Sequence, residues 1–222
     1  MPTPIQLASA FLLALAIPVA AQTPAAVPTR ETLAGTYDGG QMEVGAQLLL
    51  KPDGHFQYEL AYGALDETAE GTWDIKEGVV LLTTVPAVVP PRFVVVSDTH
   101  APRGLNVKLT KPLVEGMRQR VYLVYSPRQE PDEAQVADDG SVPIPAGKHP
   151  VAFLPEIPVY PTMVKAIPLT GTGGHRFVLR FEPHDIGKAD FHPQPLTIDD
   201  GVLTMTRPDL QLQLHFHRQP PV

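Results

Sequence analysis

The sequence contains no cysteine and little serine, two residue types that often supply a catalytic nucleophile. The absence of cysteine excludes disulfide bonds, thiol catalysis, cysteine-ligated zinc, iron–sulfur clusters and a lipid anchor on an N-terminal cysteine. None of the serines lies in a G-x-S-x-G sequence, and no H-E-x-x-H sequence is present. Because no catalytic motif stands out, we predict that the protein is not an enzyme.

The sequence is also poor in basic residues. It has 17 Lys and Arg against 24 Asp and Glu, a formal net charge of −7. A nucleic-acid-binding protein normally carries a basic surface patch, so this balance argues against a nucleic-acid partner.

Only one apolar run is long enough to suggest a targeting segment. Residues 7–21 are apolar or small apart from Ser9. Such a run is shorter than the roughly 20 residues of a membrane-spanning helix and fits the core of a secretory signal peptide. We therefore predict a signal peptide over residues 1–21, cleaved near Ala21, and a periplasmic or secreted chain without a transmembrane span. The alternative is a buried apolar helix.

The rest of the chain has the alternating pattern of β-strands. Residues 55–62 place Phe56, Tyr58, Leu60 and Tyr62 on one face and polar residues mostly on the other. Short turn sequences such as Pro-Asp-Gly and Asp-Asp-Gly separate several such runs, and helical periodicity is nearly absent. This pattern predicts an all-β protein with an antiparallel meander or barrel-like N-terminal module and a β-sandwich-like module.

A shift in charge and histidine content suggests how the chain divides. After a flexible leader (22–32), we predict an acidic meander or barrel-like module over 33–99 and a histidine-containing sandwich-like module over 100–222. An alternative inserts 101–170 as the sandwich, so that 171–222 pairs with 33–99. The last strands would then close the first barrel and remove its exposed edges, which favours closure physically. Both arrangements stay open.

Two stretches resemble known families. The sequences GTY at 35–37, LLLKPDGHF at 48–56, GTW at 71–73 and VVLL at 79–82 resemble lipocalin-like domains of exported bacterial proteins, over about residues 35–84. That resemblance implies a small antiparallel barrel, but it carries no functional residue across, because such domains have varied binding and envelope roles.

The second resemblance covers residues 105–145, which end in ADDGSVPIP. This stretch resembles the transthyretin-like or carboxypeptidase-regulatory-like sandwich, in which a hairpin of this kind recurs.

Histidines are candidates for metal binding. His215 and His217 lie two residues apart on the last predicted strand, so both side chains point to one face and could hold Zn²⁺ or Cu²⁺. Further ligands could come from one connecting segment that contains His184, Asp185, Asp190 and His192. The alternative is that these are ordinary surface polar residues and that the protein has no cofactor.

Three other groups have two interpretations each. The aromatic residues Phe56, Tyr58, Tyr62 and Trp73 could line a ligand cavity or simply fill a core. The sequence Ser-Asp-Thr-His at 97–100 contains the letters of a catalytic triad, but we interpret it as a polar turn. We interpret Asp66, Glu67 and Glu70 as a solvated acidic loop and not as a cation site.

Taken together, these features predict an exported, non-enzymatic β-protein of the bacterial envelope. It would act as a binding or accessory module whose partner is an unidentified envelope protein or a small ligand. The alternative is a divalent-metal-binding protein that uses the C-terminal histidines.

Overall fold

The computed structural model describes residues 27–160, 164–171 and 173–220. The predicted signal peptide and residues 22–26 of the leader lie outside the described residues, so both stay predictions. The described part has one short helix and sixteen strands. In chain order they are α1 (Arg30–Leu33), β1 (Gly35–Asp38), β2 (Val44–Leu50), β3 (His55–Tyr62), β4 (Leu65–Lys76), β5 (Val79–Thr84), β6 (Arg92–Ala101), β7 (Leu105–Leu109), β8 (Arg120–Val124), β9 (Asp132–Gln135), β10 (Ser141–Val142), β11 (Ala152–Pro155), β12 (Ile167–Pro168), β13 (Gly174–Glu182), β14 (Gln194–Asp199), β15 (Val202–Arg207) and β16 (Leu212–Arg218).

Eight of these strands form a closed antiparallel barrel. Their order around the barrel is β1-β16-β15-β14-β5-β4-β3-β2. The last three strands of the chain therefore lie between β1 and β5. The all-β prediction and the predicted barrel are confirmed. Of the two arrangements that the sequence left open, the structure has the one in which the C-terminal strands close the barrel.

The barrel interior is filled by the side chains that the alternating pattern points inward. Phe56, Tyr58 and Trp73 are each 1% exposed and belong to one apolar cluster with Leu48 and Phe216. An eight-stranded barrel is just wide enough for side chains to fill it. Here the predicted aromatic face packs as a core, except that Tyr62 at the end of β3 remains exposed.

Helix α1 packs at one end of the barrel. Its Leu33 is buried in the barrel cluster, and the Leu33 carbonyl accepts a 2.7 Å hydrogen bond from the Tyr37 hydroxyl. The indole N–H of Trp73 donates to the Lys51 carbonyl at 2.9 Å, and the Arg30 guanidinium lies over the indole ring. These contacts join the helix, β1 and β4 around buried aromatic rings.

The segment between β13 and β14 packs against β4 and β5. Thr84 donates its hydroxyl hydrogen to the Ala189 carbonyl and accepts a hydrogen bond from the Phe191 N–H, both at 3.0 Å. Thr68 on β4 also exchanges backbone hydrogen bonds with this segment. Phe191 is thereby buried against the ring of Tyr58, whose centroid lies 5.3 Å away.

The chain between β5 and β14 forms two further four-stranded sheets, ordered β10-β7-β13-β6 and β12-β11-β8-β9. Side chains of both sheets make a second apolar cluster, separate from that of the barrel, in which the rings of Phe153 and Phe177 lie 5.2 Å apart. We call this pair of sheets the sandwich. Strand β13 pairs antiparallel with β6 and parallel with β7. Because Arg92 pairs with Glu182, the chain enters and leaves this pair of sheets at neighbouring points.

Two sequence interpretations are wrong at the level of local structure. Residues 97–100 are not a turn: they lie within β6, paired with β13. Asp66, Glu67 and Glu70 are not in a loop, because β4 already begins at Leu65. Their side chains consequently alternate across the sheet, which turns Glu67 toward the barrel interior.

No helix in the described part of the chain is long and apolar enough to cross a membrane.

Candidate functional site

The two predicted metal-binding histidines lie on the outer face of the barrel. His215 and His217 are both exposed on β16, and their neighbours Leu214 and Phe216 are buried. The Nδ1 atom of His215 is 3.1 Å from the hydroxyl of Thr204 on β15. Across residues 27–160, 164–171 and 173–220, no group of three or more His, Cys, Asp or Glu side chains could hold a metal ion. Metal binding by this pair stays a prediction.

The second histidine cluster is divided among separate ion pairs. His192 lies 2.8 Å from Asp190, and His184 lies 3.4 Å from Glu182. Asp185 instead accepts a hydrogen bond from the Val89 N–H and pairs with Lys188. These contacts lower the pKa of Asp185. The four predicted residues therefore do not converge on one point.

A carboxylate–imidazole pair joins β6 to β13. The carboxylate of Asp98 lies 3.0 Å from Nδ1 of His175, and the imidazole stacks on Phe177. Serine hydrolases use such a pair to activate a hydroxyl. Among the hydrogen bonds of the described residues, none joins His175 to a hydroxyl group. The pair therefore links the two strands without completing a catalytic triad there.

An ion-pair network extends from the barrel interior to the surface: the side chains of Arg207 and Glu67 are 6% and 12% exposed, and that of Asp209 is 48% exposed. The Arg207 guanidinium donates to both carboxylate oxygens of Glu67, at 2.6 and 3.1 Å, and to those of Asp209, at 3.0 and 2.7 Å. The Tyr58 hydroxyl is 3.4 Å from Arg207, and burial raises the pKa of Tyr58 well above its ordinary value. Every charge in this network has a partner, so it acts as part of the core.

The described structure also contains a groove of about 350 Å³ at one side of the sandwich. We call it the β7 groove, after the strand on its floor. Its apolar lining comes from β7, from the connection between β7 and β8, from the chain around residues 136–140 and from Pro158 after β11. The apolar lining residues are Val107, Leu109, Pro112, Leu113, Val114, Met117, Val136, Ala137 and Pro158.

The groove combines a buried floor with an exposed wall. On the floor, Val107 and Val136 are 2% and 5% exposed and belong to the sandwich core. On the wall, Val114 and Met117 leave 45% and 53% of their surface exposed. The connection from β7 to β8 therefore presents apolar side chains to solvent next to an apolar floor.

Polar groups and a tight turn lie at the rim of the groove. The Arg118 guanidinium contacts both carboxylate oxygens of Asp138, at 3.0 and 3.1 Å, which ties the β7–β8 connection to the turn before β10. Gly140 in that turn has φ +89°, and a Cβ there would lie 2.8 Å from Asn106 and 2.9 Å from Lys108. Only glycine fits this close approach without strain.

One strand edge beside the groove is unpaired. Strand β10 pairs with β7 only at Leu105 and Asn106. The next residue of β7 makes one more hydrogen bond on this side, from the Val107 N–H to the Gly140 carbonyl at 2.8 Å. The Gly140 N–H bonds to the Ala137 carbonyl within the 137–140 turn, so the turn does not pair with the rest of β7. No other described segment pairs with this edge of β7.

The groove could not be recognised from the alternation of Leu105, Val107 and Leu109, which indicates only a strand. The available signal was a run between two strands that contains Pro112, Leu113, Val114 and Met117. A connection between strands is normally polar, so four apolar residues there indicate a surface with a role.

In comparisons with known proteins, no family model matches the sequence, no curated protein matches it, and no solved structure matches the fold. The eight-stranded antiparallel barrel is consistent with the lipocalin-like resemblance of residues 35–84. The transthyretin-like resemblance of residues 105–145 stays a prediction.

Proposed function

We propose that the chain is an exported, non-enzymatic binding module of the bacterial envelope and that the β7 groove is its binding site. The observation that carries this proposal is the exposure of Val114 and Met117 beside the buried floor of the groove. Exposed apolar surface next to a concavity is typical of a ligand or partner site.

The size and chemistry of the groove support a binding role. A volume of about 350 Å³ lies within the range of small-molecule sites, which are mostly apolar with a few placed polar groups. The polar side chains here are those of the Arg118–Asp138 pair, Lys108 and Gln119. A ligand with an apolar body would remove Val114 and Met117 from water, which is favourable in proportion to the area buried.

The barrel serves in this proposal as a scaffold. Its interior side chains already pack against one another, as the centroid distances of 5.3 and 6.4 Å from Tyr58 to Phe191 and Phe216 indicate. Export rests on the apolar N-terminal run, and the envelope location rests on the resemblance to exported barrel domains.

A fluorescence titration tests the proposed function. The probe is 1-anilinonaphthalene-8-sulfonate, which has an apolar ring system and emits strongly only when removed from water. We expect saturable binding by the native protein. The double variant Val114→Asp with Met117→Glu should raise the dissociation constant at least about tenfold, which corresponds to about 1.4 kcal/mol.

The matched control is Val151→Asp. Val151 is also on the sandwich and is 51% exposed, but it does not line the groove. This variant should bind the probe as the native protein does. Equal loss of binding in both variants, or no saturable binding by the folded native protein, would contradict the proposal.

A further inference from the structure

We infer that the β7 groove binds an extended, uncharged polypeptide segment that pairs with the free edge of β7. Alternate apolar side chains of that segment would face the groove floor. This inference rests on the proposed function, because it names the class of ligand for the same groove.

The direction of the backbone groups on β7 follows from two hydrogen bonds. The Thr110 N–H donates to the Leu179 carbonyl on β13, so the even-numbered residues here direct their backbone groups toward β13. The Val107 N–H donates to the Gly140 carbonyl on the other side. Since neighbouring residues of a strand alternate, the N–H and C=O of Leu109 also face away from β13.

Three backbone groups are consequently free beside the groove. They are the carbonyl of Val107 and the N–H and carbonyl of Leu109, none of which hydrogen-bonds to another described residue. Water can satisfy them while the groove is empty. A ligand that fills the groove displaces this water, and a buried donor or acceptor left unpaired costs about 1–3 kcal/mol.

This requirement distinguishes between classes of apolar ligand. An acyl chain or an aromatic ring would cover the apolar lining but leave the backbone groups of Val107 and Leu109 unpaired. An extended peptide supplies backbone donors and acceptors along one edge and side chains for the floor, which is how strand addition to a sheet edge works.

The position of β10 shows where such a peptide would lie. Strand β10 covers β7 at Leu105 and Asn106, and the chain turns away at Gly140. The groove begins where that pairing ends, so the peptide would lie end to end with β10 and continue its line along β7. The free edge from Val107 to Leu109 spans two residue steps, about 7 Å, enough to pair with a short segment.

The charges at the rim favour an uncharged segment. Arg118 and Asp138 form a two-point ion pair and neutralise each other. The Lys108 side chain passes over Gly140 and lies near Asp139, whose pKa is lowered by hydrogen bonds from Ser141 and, to a smaller extent, by the Lys108 charge. A charged side chain placed on the floor, against Val107 and Val136, would lose its hydration without gaining a partner.

Displacement of the fluorescent probe tests this inference with three peptides. The parent is acetyl-Thr-Val-Thr-Val-Thr-Val-amide, which has alternate apolar side chains. The second is the same sequence with every backbone amide N-methylated, so that its side chains are kept and its donors are lost. The third is the rearranged acetyl-Thr-Thr-Thr-Val-Val-Val-amide, which keeps the composition and loses the alternation.

We expect the parent peptide to displace the probe, and the N-methylated and rearranged peptides to be at least tenfold weaker. The parent should also slow hydrogen exchange at the Leu109 amide, whereas the probe alone should not. Binding of the probe without displacement by the parent peptide would overturn the inference and leave the proposed function standing. Equal displacement by parent and N-methylated peptide would overturn pairing with β7, and failure of the probe itself to bind would overturn the proposed function.

Discussion

The Arg207 guanidinium is held inside the barrel by four hydrogen bonds to two carboxylates, those of Glu67 and Asp209. Its side chain is 6% exposed and that of Glu67 is 12% exposed. Burying an ion costs several kcal/mol unless a partner compensates, so each of these charges depends on the other. Phe191 adds its ring face 5.6 Å from the guanidinium.

We expect Arg207→Ala to destabilise the protein by about 3–5 kcal/mol, because it leaves Glu67 buried without its partner. Urea unfolding followed by Trp73 fluorescence measures this loss. The control is Arg118→Ala, whose partner Asp138 is 81% exposed and whose surface ion pair should contribute less than about 1 kcal/mol. A double replacement of Arg207 and Glu67 by Met should recover much of the loss. A cost below about 1 kcal/mol for Arg207→Ala would contradict the assignment.

The alternative function concerns two other residues. If His215 and His217 hold Zn²⁺ or Cu²⁺, protein purified without chelator or histidine tag carries the metal in native mass spectrometry. Adding Zn²⁺ then raises the melting temperature, and the variant His215→Ala with His217→Ala loses that rise. His55→Ala on the outer face of β3 is the control. A metal-free protein whose melting temperature ignores Zn²⁺ would contradict this alternative.

Single side chains could be predicted from the sequence where strand alternation decides their position, and not where a distant partner does. The burial of Phe56 and Tyr58 follows from alternation within β3. The inward position of Glu67 does not, because its partner Arg207 is 140 residues away in the chain. A carboxylate at an interior position looks unfavourable until the strand that brings the arginine is known.

At the scale of elements, β6 and β13 form the connection between barrel and sandwich. Their pairing runs from Arg92–Glu182 at the barrel to Ala101–Gly174 at the far end, with a bulge between Val178 and Leu179. Glu182 accepts hydrogen bonds from Arg180 on its own strand and Arg92 on the neighbouring strand, both at 2.8 Å. These bonds hold the pKa of Glu182 at about 2, below its ordinary value of 4.5.

This lowered pKa predicts how stability depends on pH. A carboxyl group with a depressed pKa in the folded state stabilises the fold above its unfolded pKa and loses that contribution as the pH falls. We expect the melting temperatures of the native protein and of Glu182→Gln to differ above pH 4.5 and to converge between pH 4.5 and 2. The control is Glu130→Gln, an exposed residue with no ion pair among the described residues. A difference in melting temperature that stays constant down to pH 2 would contradict the prediction.

The strands could largely be predicted from alternation, whereas their ends and partners could not. The alternation of residues 55–62 predicted β3, and the alternation around His215 and His217 predicted β16. The start of β4 was missed because Asp66, Glu67 and Glu70 have the composition of a loop. The edge of β7 was missed because strand order depends on contacts between distant parts of the chain.

At the scale of the whole molecule, the barrel and the sandwich have separate apolar cores. Barrel closure requires β16 to pair with β1, although most of the chain lies between these two strands in the sequence. The sequence pattern is compatible with this arrangement and equally with two sequential modules, so it does not distinguish between them. The pairing of Arg92 with Glu182 explains how the barrel accepts so long an insertion: the two ends lie side by side.

Because the two apolar cores are separate, we expect the barrel to fold without the sandwich. Replacing residues 92–182 by a short Gly-Ser linker should leave a chain that unfolds cooperatively. Trp73, the single tryptophan of the protein, should stay shielded from acrylamide quenching, because its contacts lie within the barrel and helix α1. A shortened chain whose Trp73 is freely quenched would contradict independent folding of the barrel.

A map of amide chemical shifts in the ¹⁵N-labelled protein, recorded while the fluorescent probe is added, shows where on the molecule the probe binds. We expect shifts at the amides around the β7 groove, those of Val107, Leu109, Val114, Met117 and Gly140, and none at the barrel interior around Trp73. Shifts confined to the barrel interior, or spread evenly over the surface, would contradict the assignment of the groove as the binding site.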